Sequence, residues 1–439
     1  MQRHLLVVIV VLAAAWWLGL APDALTVNAP AEWWRLRRTL IMGSGYLAMG
    51  CMSVAMILAA RPMPLEGRLG GLDQAYRLHK RLGIAGTLFA VLHWLLAMAP
   101  KWLVGAGLLA RPQRPPSAGP ESPFAAFEDA AEGLGEWAFY LAVVLVVIAL
   151  WKRIPYHQFA RIHRIFPIAY LVLVFHSVVL MPLDYWTSLS GVAMALLMAG
   201  GAVAAVLSLA GRIGFTRRAL GRVESLTLHN DRVLEVHCRL DTSWAGHESG
   251  QFVFVTFDRK EGAHPFTVAS AWSGDGHIVL AIKRLGDYTG ALPERLQLGA
   301  PVVVEGPYGR FTFDSRRERQ VWVAGGIGIT PFIARMELLV QRGATRQPVD
   351  LFYSTTDDDE ELFAFLRDLA DKAGVTLHLL VSPRDGALTV DRIAEKVPGF
   401  AAAEFWFCGP KGFGDAMRSG LTKRGLPREC FHQEAFEMR

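Results

Sequence analysis

The run HKRLGIAGTLFAVLH, residues 79–93, is apolar along most of its length and has a histidine at each end. Fourteen residues of α-helix make close to four turns, so His79 and His93 would lie on one face, about 21 Å apart along the axis. That separation suits two haems stacked across a bilayer, each bound by one imidazole from this helix. A second helix would have to supply the other two imidazoles.

His163 and His176 meet that requirement on a later apolar stretch. In an ideal helix a spacing of thirteen residues leaves two side chains roughly 140° apart, which spoils the geometry for stacked haems. Pro167 lies between them and removes a backbone donor, so a kink there can bring both onto one face. The sequence therefore predicts that His79 pairs with His163 and His93 with His176.

A single intramembrane histidine can be no more than a packing or hydrogen-bonding residue between helices. Four histidines, matched in depth on two spans, favour a functional site because polar groups are costly at that depth. A proton pathway is the main alternative. Such a pathway needs Asp or Glu in the spans, and these stretches contain almost none.

The composition indicates a membrane part, because 52% of the 439 residues are hydrophobic and only 19% are charged. Before residue 212 the chain has six apolar runs of spanning length. They cover residues 5–20, 40–60, 82–99, 137–151, 165–181 and 189–210. The first run could instead be a signal peptide, but its length and two tryptophans favour a span.

The charge balance and the cysteines exclude several classes of protein. The 45 Lys and Arg outnumber the 40 Asp and Glu, but no dense basic tract supports nucleic-acid binding. Arginines concentrate in segments 61–81, 151–164 and 211–222, so the positive-inside rule places the C-terminal half in the cytoplasm. Four scattered cysteines without a CxxC pair exclude a disulfide scaffold, a zinc ribbon and an iron–sulfur cluster bound by thiolates.

The second half of the chain has a different pattern. Short alternating strands at 222–228, 233–239, 251–257 and 277–283 predict a small antiparallel barrel. After residue 319 strands alternate with helices, which is typical of a doubly wound parallel sheet. The predicted domains are a transmembrane domain over 1–211, a barrel over 212–318 and an α/β domain over 319–439. The fold class is therefore a six-helix bundle followed by a ferredoxin-reductase-like module.

Two barrel segments could bind a flavin. The segment from His264 to Ser270 offers a ring, a hydroxyl and backbone amides for the isoalloxazine edge. Its candidate residues are His264, Pro265, Phe266, Thr267 and Ser270. The segment 283–290 adds Lys283 and Thr289 for a diphosphate. Each segment, like 305–309, could also be an ordinary turn.

A glycine-rich turn, AGGIGITP at 324–331, ends one predicted strand and opens a helix. Glycines let the backbone approach a pyrophosphate, and the helix N-terminus supplies amides and a dipole. The candidate residues there are Gly325, Gly326, Gly328, Thr330 and Pro331. Cys408, Gly409 and Pro410 follow a later strand, where ligands bind in such sheets. Cys408 could be an inert buried thiol, but a place beside the nicotinamide is preferred.

These residues together resemble the ferric reductase and NADPH oxidase (Nox) superfamily over most of the chain. The resemblance implies bis-histidine haem ligands at His79, His93, His163 and His176, an FAD motif at 264–267, and pyridine-nucleotide motifs at 325–331 and 408–410. It also implies a flavin-covering aromatic near the C-terminus, which is Phe436 here. Phe436 and Cys408 are thus the residues predicted to act beside the reacting rings.

The chain departs from the animal oxidases in two ways. Ala97 stands where they have a further histidine near the oxygen site, and their calcium-binding extension is missing. The chain therefore resembles the small bacterial members, which implies a bacterial inner membrane. The departure at Ala97 leaves the acceptor open.

The predicted activity is transfer of electrons from cytoplasmic NAD(P)H through FAD and two b-type haems to an external acceptor. The acceptor could be O2, giving superoxide, a ferric chelate, or a periplasmic protein partner. A transporter that senses nucleotide is a third hypothesis. The resemblance favours NADPH over NADH. Arg384 could supply the cation for its 2′-phosphate, although 357–359 is acidic and an exposed loop arginine is the commoner explanation.

Overall fold

The computed structural model describes residues 2–20, 25, 32–108, 123–151, 153–154 and 156–433. It divides into two compact units, Met1–Ile213 and Gly214–Arg439. The first unit is helical, and the second contains two β-sheets with their helices.

The helices of the first unit follow one another along the chain. They are α1 (Gln2–Leu18), α2 (Glu32–Ala59), α3 (Met63–Leu69), α4 (Leu72–Gly105), α5 (Glu128–Leu150), α6 (Tyr156–His163), α7 (Phe166–Leu180), α8 (Leu183–Trp186) and α9 (Leu189–Leu209).

In the described part of the chain, five helical segments are long and apolar enough to cross a membrane. They are Arg35–Ala59, Leu72–Gly105, Ala125–Leu150, Gln158–Leu180 and Leu189–Leu209, and Arg3–Leu18 is a shorter apolar helix. Large apolar side chains such as Leu88 and Leu196, 65% and 70% exposed, point outward, as lipid-facing residues do. The predicted helical membrane half is confirmed, with five long spans and one shorter helix.

The observed helices extend beyond the predicted spans. Helix α4 begins at Leu72, so the predicted loop 61–81 is largely helical, and it continues through Pro100. A proline inside a helix cannot donate to the carbonyl four residues earlier, here that of Leu96. Arg37 supplies donors instead, with Nε 3.0 Å from the Leu96 oxygen and Nη2 3.1 Å from the Ala97 oxygen.

The second unit begins with a six-stranded antiparallel sheet, in the order β4-β3-β6-β1-β2-β5 among the described strands. Val268 and Leu280 form an isolated bridge next to edge strands β4 and β5, so the sheet curls into the predicted barrel. The strands are β1 (Arg218–His229), β2 (Val233–Leu240), β3 (Phe252–Thr256), β4 (His264–Thr267), β5 (His277–Lys283) and β6 (Pro301–Tyr308).

Three local interpretations of the barrel sequence differ from the structure. Residues 305–309, which could be read as a turn, contribute to strand β6, because neighbouring strands pair with it despite Gly306 and Pro307. The HPFT segment is itself strand β4, and its Pro265 is tolerated because β4 lies at an edge of the sheet. Helix α10 (Asp287–Arg295) occupies part of the predicted loop.

The C-terminal sheet is parallel, with the order β11-β10-β7-β8-β9 among the described strands. It confirms the predicted doubly wound α/β architecture, with helices between successive strands. Its elements are β7 (Gln320–Gly325), α11 (Thr330–Gln341), β8 (Val349–Thr355), α12 (Glu360–Ala373), β9 (Thr376–Val381), α13 (Ser382–Asp385), α14 (Val390–Lys396), β10 (Glu404–Cys408), α15 (Lys411–Lys423) and β11 (Phe431–Gln433).

Candidate functional site

The four intramembrane histidines lie in two opposed pairs, with the ring planes at 81° in one pair and at 84° in the other. The ring centres of His79 and His163 are 6.1 Å apart, and those of His93 and His176 are 6.4 Å apart. The chain achieves this by ending α6 at His163 and starting α7 at Phe166, just before Pro167. The thirteen-residue spacing is therefore not that of one continuous helix, and the ideal-helix angle of 140° does not apply.

Neighbouring backbone orients three of these rings. The Nδ1 atoms of His79 and His93 lie 2.8 Å from the carbonyl oxygens of Ala55 and Ile41 on α2. His176 Nδ1 is likewise 2.8 Å from the Ala131 oxygen on α5. A carbonyl only accepts, so each Nδ1 carries the proton and each Nε2 keeps its lone pair, the state a metal-binding imidazole needs.

Two glycines make that approach possible. A Cβ atom on Gly135 would lie 2.1 Å from His176 Nδ1, and one on Gly45 would lie 3.0 Å from His93 Nδ1. Gly135 comes four residues after Ala131, and Gly45 four residues after Ile41, so each glycine lies directly above the carbonyl that accepts the bond. Sequence reasoning missed both: Gly45 lies within the apolar run 40–60, and Gly135 lies just before the run 137–151.

The pairs fit one metal ion each. Two imidazole nitrogens about 2.0–2.1 Å from one transition-metal ion put the ring centres roughly 6 Å apart. Among the described residues no group of three or more His, Cys, Asp or Glu could hold a metal. Two histidines alone would leave the remaining coordination positions of such an ion to a macrocycle, as in a bis-histidine haem.

A cavity of about 650 Å³ surrounds the His93–His176 pair. Its walls are mainly apolar, with Met49, Leu173 and Met198 among the lining residues. That volume lies within the usual range for cofactor sites. The cavity also reaches Ala97, the position of the departure from the animal oxidases.

The flavin candidates in the barrel leave several buried polar atoms unpaired. His264 and Tyr288 stack at 4.1 Å with nearly parallel rings. Within the described chain, His264 Nε2, Tyr288 Oη and Thr267 Oγ1 are buried without a hydrogen-bond partner. Buried polar groups are normally bonded, so this group of atoms fits a polar ligand edge such as that of a flavin.

Burial changes the titration of the stacked pair. It lowers the pKa of His264, partly countered by Glu261, so this ring is neutral at physiological pH. It raises the pKa of Tyr288 to about 12, with Glu261 and Asp258 adding to the rise, so the phenol keeps its proton. The pair therefore offers a neutral ring nitrogen and a hydroxyl donor rather than charges.

The remaining flavin candidates already have partners. Ser270 Oγ accepts from the Val279 amide at 3.0 Å, and Thr289 Oγ1 accepts from the amides of Leu285 and Gly286. Lys283 Nζ lies 3.2 Å from a carboxylate oxygen of Asp357. Pro265 and Phe266 pair with strand β3 through their backbone positions.

The nucleotide candidates meet at the carboxyl ends of strands β7 and β10, which are parallel neighbours. A Cβ atom on Gly328 would lie 2.2 Å from the Cys408 carbonyl oxygen, and one on Gly409 would lie 3.1 Å from Gly325 Cα. Only glycine lets these two loops pack so closely. Gly326 has φ +55, and a Cβ there would meet no described atom within 4 Å, which leaves this amide region open.

Helix α11 begins directly after this turn. Thr330 is its first residue, its hydroxyl is 3.2 Å from the Ile327 oxygen, and Pro331 lies in the first turn. Proline there removes no needed hydrogen bond, so the other N-terminal amides stay available to an anion. Pro410 packs against Gly325 from the neighbouring loop.

Three further predicted residues have different settings. The Cys408 side chain is fully buried in the core between the sheet and its helices, while its carbonyl lies at the glycine-rich turn. Arg384 is exposed and forms ion pairs with Asp358 at 3.4 Å and Asp385 at 3.2 Å. Phe436 lies outside the described residues.

Two known protein families match parts of the chain. Residues 44–174 match the family described as ferric reductase like transmembrane component. Residues 220–312 match the family described as FAD-binding domain.

Known proteins are similar over part of the chain. The reductase component of propane 2-monooxygenase from Rhodococcus jostii is 28% identical over 212 residues, 44% of this chain and 56% of that protein. The flavohemoprotein of Deinococcus radiodurans is 29% identical over 194 residues, 39% of this chain and 46% of that protein. The chain thus matches about half the length of these relatives.

Among solved structures, the flavohemoglobin of Malassezia yamatoensis is 17% identical and aligns with a TM-score of 0.48 over 91% of this chain and 98% of its own. With a ferric-reductase-like transmembrane component followed by an FAD-binding domain and a parallel α/β sheet, the chain is an oxidoreductase with the domain architecture of the ferric reductase and NADPH oxidase (Nox) superfamily.

Proposed function

We propose that the chain carries electrons from cytoplasmic NAD(P)H through FAD and two b-type haems to an acceptor on the other side of a bacterial inner membrane, with O2 reduced to superoxide. The observation that carries this proposal is the two opposed histidine pairs, 6.1 and 6.4 Å between ring centres, which join α4 to α6 and α4 to α7. The domain limits 1–211, 212–318 and 319–439 are part of the proposal.

His79 and His163 would hold the inner haem, and His93 and His176 the outer one. When bound, FAD supplies the conversion of a two-electron hydride into single electrons, and the haems supply one-electron transfer. The carbonyls of Ala55, Ile41 and Ala131 keep three of the imidazoles in the tautomer whose Nε2 can bind iron. With two histidines holding each haem, an external acceptor would have to take its electron without binding the iron.

The barrel residues would position the flavin by hydrogen bonds and stacking. Thr267 Oγ1, His264 Nε2 and Tyr288 Oη are the buried polar atoms that a bound flavin can satisfy. Lys283 would leave its ion pair with Asp357 and bind the diphosphate of FAD. Phe436, the aromatic near the C-terminus, would cover the ring where nicotinamide arrives.

The glycine-rich turn would bind the nicotinamide dinucleotide. Gly325, Gly326 and Gly328 bring backbone close to the pyrophosphate, and the N-terminal amides of α11 stabilise its charge. We propose NADPH as the donor, with Arg384 at the 2′-phosphate. Its neighbours Asp358 and Asp385 would have to release it, so Arg384→Ala should lower kcat/KM for NADPH and leave that for NADH unchanged.

Orientation rests on the arginine-rich segments 61–81, 151–164 and 211–222, which the positive-inside rule assigns to the cytoplasm. Cysteine accessibility to a membrane-impermeant reagent in intact cells tests it, with cysteines introduced at Leu285 and Leu108. Labelling of Leu285→Cys from outside would contradict the proposed direction of transfer.

The acceptor is tested by reducing the purified protein with NADPH under argon and then adding either O2 or a ferric chelate. Fast haem reoxidation by O2, with superoxide detected, is the expected result. Fast reoxidation by the ferric chelate alone would make the protein a metalloreductase. Slow reoxidation by both would point to a periplasmic protein partner, and a protein without haem would refute the proposal.

A further inference from the structure

A second cavity, of about 250 Å³, lies in the C-terminal unit. Three segments enclose it: the loop His247–Ser249, the linker through Thr312 and Asp314, and one face of α11 with Arg335 and Leu338. Trp272 and Arg342 complete the lining. None of the residues proposed above for FAD or nucleotide lines this cavity.

Its inner wall contains an unpaired hydrogen-bond acceptor. His247 is only 7% exposed, and its ring lies between Trp244 and Trp272. Its Nε2 is 2.9 Å from the carbonyl oxygen of Ser270, so Nε2 carries the proton and Nδ1 has a lone pair. In the described part of the chain Nδ1 is buried with no hydrogen-bond partner, and burial lowers the pKa of His247, which keeps the ring neutral.

The same wall contains a cation with a free donor. Arg335 is half-buried, with its guanidinium 5.3 Å from the centre of the Phe313 ring. Its Nε finds no partner among the residues described here. Burial and nearby Arg342 lower its pKa, while Asp314 and Glu248 raise it, and an arginine remains charged throughout. Glu248 and Asp314 also line the cavity, but both side chains are exposed, whereas Arg335 is half-buried.

We propose that this cavity binds a small oxyanion that still carries a proton, of the class of hydrogen phosphate or bicarbonate. The negative charge and an acceptor oxygen would pair with Arg335, and the O–H would donate to His247 Nδ1. A fully ionised anion such as sulfate would pair with Arg335 but has no O–H to donate to His247 Nδ1. A neutral alcohol could donate to His247 Nδ1 but has no charge to pair with Arg335. A buried unpaired polar atom costs about 1–3 kcal/mol, so the site should discriminate between these ligands.

A ligand in this cavity would act on the proposed flavin site through His247. His247 holds the carbonyl of Ser270, at the end of the segment that contains His264 and Thr267. Ser249 Oγ donates to the Ala334 oxygen at 2.8 Å, so the same loop also contacts α11. Occupancy should therefore shift the flavin absorption spectrum. This effect rests on the proposed FAD site, whereas binding of the anion does not.

Calorimetric titration of the detergent-solubilised full chain tests the binding. Sodium phosphate, sodium bicarbonate and sodium sulfate are compared at constant ionic strength and neutral pH. We expect saturable binding of phosphate or bicarbonate, and sulfate weaker by about tenfold, the loss of one buried hydrogen bond. No saturation with either protonated anion, or equal affinity for sulfate, would overturn the proposal.

Variants locate the site. Arg335→Gln should weaken binding at least tenfold, and Arg342→Gln, at the exposed rim, should weaken it less. Arg346→Gln is the matched control, because Arg346 is an exposed arginine just beyond the same helix and does not line the cavity. If Arg335→Gln fails to fold, the anion affinity of Arg342→Gln tests the location instead. Wild-type affinity in Arg342→Gln would then refute binding in this cavity.

Discussion

Gly135 offers a sharp test of the haem-ligand geometry, because a single methyl group should displace one imidazole. The Cβ of Gly135→Ala would lie 2.1 Å from His176 Nδ1, whereas ordinary contact begins near 3.4 Å. The ring must therefore move by 3.4 − 2.1 = 1.3 Å or turn away. Either movement breaks its 2.8 Å hydrogen bond to the Ala131 oxygen.

The expected loss of haem affinity follows from the hydrogen bond between His176 and Ala131, which orients the ring. Removing the partner of a metal-bound histidine typically costs 10–100-fold in metal affinity. At about 1.4 kcal/mol per factor of ten, this corresponds to about 1.4–2.8 kcal/mol at the outer site. Gly135→Ala should therefore lose outer haem on dilution or detergent exchange and keep the inner one.

The assay is haem content by pyridine haemochrome together with a spectroscopic redox titration. Wild type should show two haems per chain, and Gly135→Ala close to one, with one redox transition missing. Gly83→Ala is the matched control, since a Cβ at Gly83 on α4 meets no described atom within 4 Å. If Gly135→Ala kept both haems and both transitions while the control behaved the same, the assignment of His176 as a ligand would be refuted.

Other substitutions test the remaining sites separately. His93→Ala should halve the haem content without changing FAD content; unchanged haem would contradict the proposed pairing. Thr267→Val should weaken FAD binding by about 5–150-fold, from the 1–3 kcal/mol of a lost buried hydrogen bond, and equal flavin retention on gel filtration would argue against contact. Gly328→Ala puts a Cβ 2.2 Å from a neighbouring carbonyl oxygen, so NADPH should reduce the haems more slowly while dithionite still reduces them fully. Gly412→Ala is its control, because a Cβ there meets no described atom within 4 Å. Equal rates of haem reduction in the two variants would contradict nucleotide binding at the glycine-rich turn.

The sequence predicted much of the fold because its patterns are local. Apolar runs predict membrane helices, and alternating residues predict strands such as β5, whose observed bounds are those predicted. Predictions failed where tertiary pairing outweighs local preference. Strand β6 includes Gly306 and Pro307, which alone favour a turn; Glu305 before them pairs with β1 and β3, and Tyr308 after them pairs with β3.

The candidate site shows the same division. The spacing of His79 and His93 was enough to place two imidazoles on one helix face, because helix geometry alone fixes it. The relation of His163 to His176 could not be derived, since it depends on the break between α6 and α7. Which carbonyls orient the rings also depended on how α2 packs against α4 and α5 against α7.

The sequence by itself thus determined the membrane half, the reductase-like second half and the residue types available for redox cofactors, because periodicity and composition are properties of short segments. Only the tertiary structure decided which histidines face each other, why Gly45 and Gly135 carry no side chain, and where His247 and Arg335 meet around a cavity. The physical reason is that these contacts join residues far apart in the chain, and the packing of whole helices and strands sets their distances.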